Sequence, residues 1–141
     1  MTRPWVAAAV AASFATGACG DSIDSVTGPT TVAPTTEHFA GTLSAGQTRF
    51  YSFHVTQAGT ATVMLASVTL SASGVATATP LGLGLGVPQG TGCAVTTRVD
   101  AVPSLVAQLT HTTEPGVLCI EVADIGQLTV PVNFAARLTH P

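Results

Sequence analysis

The sequence predicts an all-β protein, an antiparallel β-sandwich or jelly roll of seven to eight short strands. From Glu37 onward, apolar side chains recur at every second position rather than at i, i+3, i+4 and i+7. Clusters of Gly, Pro, Ser and Thr interrupt that alternation about every 8 to 15 residues, the rhythm of short strands joined by turns. The chain is rich in Ala, Val, Leu, Thr and Gly, with 46% of its 141 residues hydrophobic and only 5% aromatic. Its one helix-compatible apolar run lies at the very start.

That start is read apart from the fold. Arg3 supplies a positive charge, Trp5 to Phe14 is uncharged and Ala/Val-rich, and small residues lead into Thr16-Gly17-Ala18-Cys19. The order of charge, short apolar segment and small-residue cleavage site marks an export signal, too short for the about 20 residues a bilayer span needs. Gly17, Ala18 and Cys19 resemble the lipobox of bacterial lipoproteins, with Thr16 standing where Leu, Val or Ile is usual. The resemblance implies a cleaved signal over 1–18, a lipidated Cys19 and a membrane anchor. The alternative is an ordinary secretory signal cut after Gly17 or Gly20. Residues 19–36 are rich in Thr, Pro, Ser and Asp with no apolar period, so they read as a tether. A flexible tether of this length reaches roughly 20 to 25 Å.

The remaining domain, 37–141, divides as follows. Phe39 to Leu43 is a short strand and Ser44-Ala45-Gly46-Gln47 a turn. Arg49 to Val55 alternates, placing Tyr51, Phe53 and Val55 on one face and Ser52 and His54 on the other. After the turn Gln57-Ala58-Gly59, Thr60 to Leu65 points Ala61, Val63 and Leu65 inward and Thr60, Thr62 and Met64 outward. Val68 to Pro80 reads as a ragged strand plus loop. Leu81, Leu83, Leu85 and Val87 alternate with Gly82, Gly84 and Gly86, and Pro88 to Gly92 turns into Cys93 to Asp100. Leu105 to Leu109, Val117 to Val122 and Val130 to Leu138 complete the strands, with Thr113 to Gly116 as a turn.

Charge narrows the function. Only 8% of residues are charged, against roughly 25% in an average domain. Lysine is absent, which removes a Walker P-loop, a Schiff-base lysine and a polybasic patch. Past the signal, Arg49, Arg98 and Arg137 face seven acids, a balance that argues against nucleic-acid binding.

With Cys19 set aside, Cys93 and Cys119 form a natural pair in an exported protein. Closing a loop of about 26 residues stabilises by roughly 3 to 3.5 kcal/mol on the chain-entropy model. The alternative is two buried free thiols. If Leu118, Ile120 and Val122 face the core, Cys119 and Glu121 face outward, and the bridge is expected on the outer face between neighbouring strands, leaving Glu121 in water. If Cys119 instead points inward, Glu121 needs a partner such as Arg98 or Arg137.

The run Phe39-Ala-Gly-Thr-Leu-Ser-Ala-Gly-Gln-Thr-Arg-Phe-Tyr-Ser-Phe-His-Val-Thr-Gln-Ala-Gly-Thr, followed later by Pro115-Gly116-Val-Leu-Cys119-Ile-Glu-Val, resembles bacterial pre-peptidase C-terminal (PPC) domains. The resemblance spans most of Phe39 to Leu138. It implies a jelly-roll-like accessory module of secreted enzymes or envelope proteins, without catalysis of its own. Some such domains bind calcium through acids on a central strand, where this chain carries Leu81 to Gly86.

No constellation of catalytic residues stands out. His38, His54, His111 and His140 lack metal-ligand spacing, and no G-x-S-x-G is present. Asp100, Glu114, Glu121 and Asp124 are the acids from which a glycosidase pair would come, but Glu114 and Asp124 sit in turn contexts where carboxylates cap loops. Together with Glu37 they are scattered, so no calcium site, metal or cofactor is expected. The candidate ligand surface is Phe50 and His54 on one strand face, with Gly82, Gly84 and Gly86 facing a covering loop, leaving a flat outer surface, or forming a flat groove for an extended polymer or partner strand. The expected function is a non-enzymatic, lipid-anchored cell-envelope module with a protein or polysaccharide partner. The alternative is a secreted accessory protein that binds or hydrolyses polysaccharide or peptide.

Overall fold

The structure is a computed structural model that describes residues 32–141. The segment expected to be a signal, Cys19 and most of the expected tether lie outside the described residues. Among the described residues eight strands form: β1 (Thr35–Leu43), β2 (Thr48–Val55), β3 (Gly59–Leu70), β4 (Leu81–Gln89), β5 (Gly92–Ala101), β6 (Leu109–Thr113), β7 (Gly116–Ala123) and β8 (Val132–His140). They make two four-stranded antiparallel sheets, β1-β8-β3-β6 and β2-β7-β4-β5. Consecutive strands alternate between the sheets for most of the chain, which is the strand order of a jelly roll. The predicted antiparallel sandwich is what the chain forms.

Period-2 patterning explains the packing. On β8, Val132, Phe134, Ala136 and Leu138 are buried. On β3, Ala61, Val63 and Leu65 face them, and from the second sheet come Leu81, Leu83, Leu85, Ile120 and Val122. Fully burying each leucine or isoleucine contributes roughly 1.5 to 3 kcal/mol, so these rows hold the sheets together. Tyr51 closes the β1–β2 side: its ring stacks on Phe39 at 5.0 Å, meets Phe134 edge-on at 6.4 Å, and its hydroxyl donates to the Ala40 carbonyl at 2.9 Å.

Several boundaries differ from expectation. Strand β1 begins at Thr35, two residues inside the expected tether, because Thr35 and Thr36 pair with His140 and Thr139. Strand β3 is continuous through Val68 to Leu70, with a bulge at Ala66 absorbing the change of phase. Met64, on the outward set, is nonetheless buried, with Arg137 donating to its sulfur at 3.9 Å. The strand expected over Leu105 to Leu109 is instead β6 at Leu109–Thr113. Residues 104–108 run beside β3 as a loop, with Leu105 89% exposed. An apolar pair in sequence there belongs to the surface.

Candidate functional site

The outer face of the second sheet carries most of the residues singled out by sequence. Phe50 and His54 stand exposed on β2, with Ser52 between them. Across the β2–β7 register Phe50 meets Glu121, Ser52 meets Cys119 and His54 meets Val117. One strand further in, Gly84 lies beside Glu121 and Gly86 beside Cys119.

The three glycines are buried and do not form an open groove. Strand β5 covers them. Arg98 lies over Gly82, the Val95 side chain over Gly84, and the Ala94 main chain over Gly86. A β-carbon at Gly86 would fall on the Ala94 carbonyl, so this position needs the close backbone approach that only glycine allows. The cover is the neighbouring strand, with Ile125 of the loop after β7 joining Arg98 at Gly82, and not a covering loop alone. A ligand approaching this face meets Arg98 and Val95 rather than glycine backbone.

The Cys93–Cys119 disulfide forms on this outer face, with Cys119 completely buried and Leu118, Ile120 and Val122 on the opposite side. It corrects the expected neighbours. Cys93 is on β5 and Cys119 on β7, and β4 lies between those strands in the sheet. Two strand spacings amount to about 9.5 Å, yet the two Cα atoms are 5.9 Å apart. The bulge between Leu85 and Gly86 and the bare Gly86 backbone let the start of β5 approach closely enough to reach β7 past β4. Glu121 is not left in water either. Its side chain is only 14% exposed and accepts from Arg98 at 3.0 Å.

Asp124 is fully committed to structure. Its carboxylate accepts amide protons from Gly46 at 2.8 Å, Gly126 and Gln127 at 2.9 Å and Leu128 at 3.1 Å. The Gly46 amide first, then those of Leu128, Gln127 and Gly126, hold its carboxyl below the ordinary range against the opposing effect of burial. It ties the β1–β2 turn to the loop after β7, and Gly46 supports that turn with a φ of 71°.

Between the sheets, near the β6–β7 turn, a cavity of about 210 Å³ is bounded by Leu85, Val87, Thr96 and Leu118 on one side and His111 and Glu114 on the other. Leu85, Val87 and Leu118 supply its aliphatic wall, and Thr96, Thr112, Thr113, His111 and Glu114 its polar side chains. His111 shares the inner face of the first sheet with its register partner Ala61.

Strand pairing also aligns threonines on the outer face of the first sheet. Thr36, Thr139, Thr62 and Thr110 stand side by side across all four strands of the first sheet, and Thr60 and Thr112 form a second row. The Thr36 and Thr139 hydroxyls lie 3.2 Å apart. The signal was the alternating threonines of Thr60-Ala61-Thr62 and Thr110-His111-Thr112, but only pairing shows that they share one face.

The chain matches no protein-family model, and no curated protein gives a significant sequence match. Among the described residues, no group of three or more His, Cys, Asp or Glu side chains is placed to hold a metal ion.

Proposed function

We propose that this chain is an exported, lipid-anchored jelly-roll module of the bacterial cell envelope that acts by binding or by structural support, without catalysis. The observation that carries the reading is the Cys93–Cys119 bond, because stable disulfides form in oxidising compartments outside the cytosol. It agrees with the export signal and with Cys19 at the end of it. The order of strand, turn and strand over Phe39 to Thr60 supports a PPC-like accessory module. So does the use made of the acids: Glu121 is held by Arg98, Asp124 by four amides and Glu37 by His140.

Partners of this module are an envelope protein or a neutral polysaccharide. The uncharged threonine rows and the Phe50–His54 face are the surfaces that would meet them. Mass spectrometry of the exported protein tests the anchor: a diacylated Cys19 at the mature N-terminus is the expected result, and an unmodified Cys19 or an N-terminus at Asp21 overturns it. A glycan and peptide panel tests the activity class. Binding without turnover supports the module, whereas turnover that disappears in Glu121→Gln would make the protein an enzyme.

A further inference from the structure

The cavity near the β6–β7 turn has one apolar wall and one unclaimed polar rim. Leu85, almost fully buried, and Leu118 form the wall, and Val87, 46% exposed, carries it out to the surface. The threonines around it are committed elsewhere. Thr96 donates to the Leu85 carbonyl at 3.1 Å and Thr113 to the Gly59 carbonyl at 3.3 Å, while Thr112 stands in the outer row beside Thr60. His111 and Glu114 differ. The two ion pairs among the described residues, Arg98–Glu121 and His140–Glu37, include neither of them. We propose that this cavity binds a primary aliphatic amine, its carbon chain between Leu85 and Leu118 and its ammonium on Glu114 and the His111 ring.

Size and polarity narrow the ligand. At roughly 30 Å³ for each water-sized group, a volume of about 210 Å³ takes a chain of about five carbons with its head group. The leucine wall offers no partner to a second polar group. A sugar, with a hydroxyl on nearly every carbon, would leave hydroxyls unpaired there. An ionised Glu114 only accepts, and an imidazole can offer a lone pair, so a head group that donates fits both.

Charge decides which donor. The fixed charges around this end of the sandwich are carboxylates: Glu114 at the rim, Glu37 on His140, and that of Pro141, whose ring lies on Gly59 opposite Thr113. The arginines are occupied, Arg98 by Glu121, Arg49 by the Thr42 carbonyl and Arg137 by the Met64 sulfur. His54 stands on the outer face, opposite Val117. A carboxylate ligand would meet repulsion, and an alcohol would forgo the charge-assisted bond that an ammonium makes. This chain contains no lysine, so none of its own side chains supplies the group. The amine comes from outside, as a free alkylamine or as the lysine side chain of a partner protein. The site does not depend on lipidation or on a glycan ligand.

Amide NMR titrations of the isotopically labelled full chain test this, at low salt and about pH 8, where a primary amine is charged. The probes are n-pentylamine, 1-pentanol and pentanoate, which carry similar chains and different heads. Pentylamine is expected to give saturable shifts at Leu85 to Val87, His111 to Glu114 and Leu118, with an affinity about tenfold above that of pentanol. Pentanoate is expected to give none. Glu114→Gln, at an exposed position, is expected to bring pentylamine down to the affinity of pentanol and to leave pentanol unchanged. N-acetyl-lysine methylamide assigns the source: binding as tight as that of pentylamine supports a partner's lysine, and weaker binding supports a free amine. The proposal is overturned by absence of saturable pentylamine shifts at those residues, by equal affinity for pentylamine and pentanol, by saturable pentanoate binding, or by an undiminished amine preference in Glu114→Gln.

Discussion

Cys93 and Cys119 are bonded across a strand that belongs to neither of them. Strand β4 separates β5 from β7, and at Gly86 the Ala94 main chain, beside Cys93 at the start of β5, occupies the place a β-carbon would take. The disulfide therefore closes the β4–β5 hairpin onto the sheet as well as shortening the unfolded chain. Replacing both cysteines by serine is expected to lower stability by about 3 kcal/mol, roughly a 10 to 20 °C fall in Tm for a domain of this size. Thermal melts of the oxidised, reduced and double-serine proteins measure it. An unchanged Tm on reduction would show that the hairpin holds its place without the bond.

The glycines of β4 are not equivalent, and substitution should separate them. At Gly82 and Gly84 a methyl group would press on the Arg98 and Val95 side chains, which can shift. At Gly86 it would press on main chain. Gly86→Ala is expected to cost about 3 kcal/mol, as overpacking that the backbone must absorb. Gly82→Ala is expected to cost under about 1 kcal/mol. Denaturant titrations of the two variants give the comparison, and equal losses would refute a main-chain clash.

Asp124→Asn replaces a carboxylate oxygen facing the Gly46 amide with an amide group that either loses that bond or turns a donor toward a donor. Because the folded carboxyl is held below its ordinary value, the unfolded chain takes up the proton first. Its contribution is present above the unfolded value of about 3.9 and is lost as pH falls toward the lower folded value. The Asn variant is expected to melt below the native protein at neutral pH, with the gap narrowing at about pH 2 to 3. Melting curves at several pH values check the sign. A gap that widened in acid would mean that the carboxylate is not what the loop relies on.

Much of the sandwich was legible because burial on one face writes period 2 into the sequence. Tyr51-Ser52-Phe53-His54-Val55 and Leu81-Gly82-Leu83-Gly84-Leu85 each give their inward side correctly. The disulfide partners followed from cysteine count and the expected export, and their outer-face position from the Leu118-Cys119-Ile120 alternation. What alternation cannot carry is which strand lies beside which. The cover over the glycines, the bond across β4 and the threonine rows all depend on register between residues far apart in the chain. His140 is invisible for the same reason, since Glu37 meets it only through the β1–β8 pairing.

The misplaced strand near Leu105 has a physical cause that predicts its own mutational pattern. Beside the bulge in β3, a side chain stands in for a missing strand. Gln108 Oε1 accepts from the Leu65 amide at 2.8 Å, its Nε2 donates to the Val102 carbonyl, and its own amide donates to the Val63 carbonyl at 2.9 Å. The Ser104 amide donates a hydrogen bond to the Leu65 carbonyl at 2.9 Å. The edge of β3 is thus satisfied without regular pairing, and Leu105 and Val106 are free to face solvent. Gln108→Ala strips the Leu65 amide of its acceptor and is expected to cost about 1 to 3 kcal/mol. Leu105→Ser, at a position 89% exposed, is expected to change stability by less than about 0.5 kcal/mol. Chemical denaturation of the pair decides the matter. If Leu105→Ser proved the more damaging, residues 104–108 would pack inward after all, and the strand expected there from the sequence would be the better description.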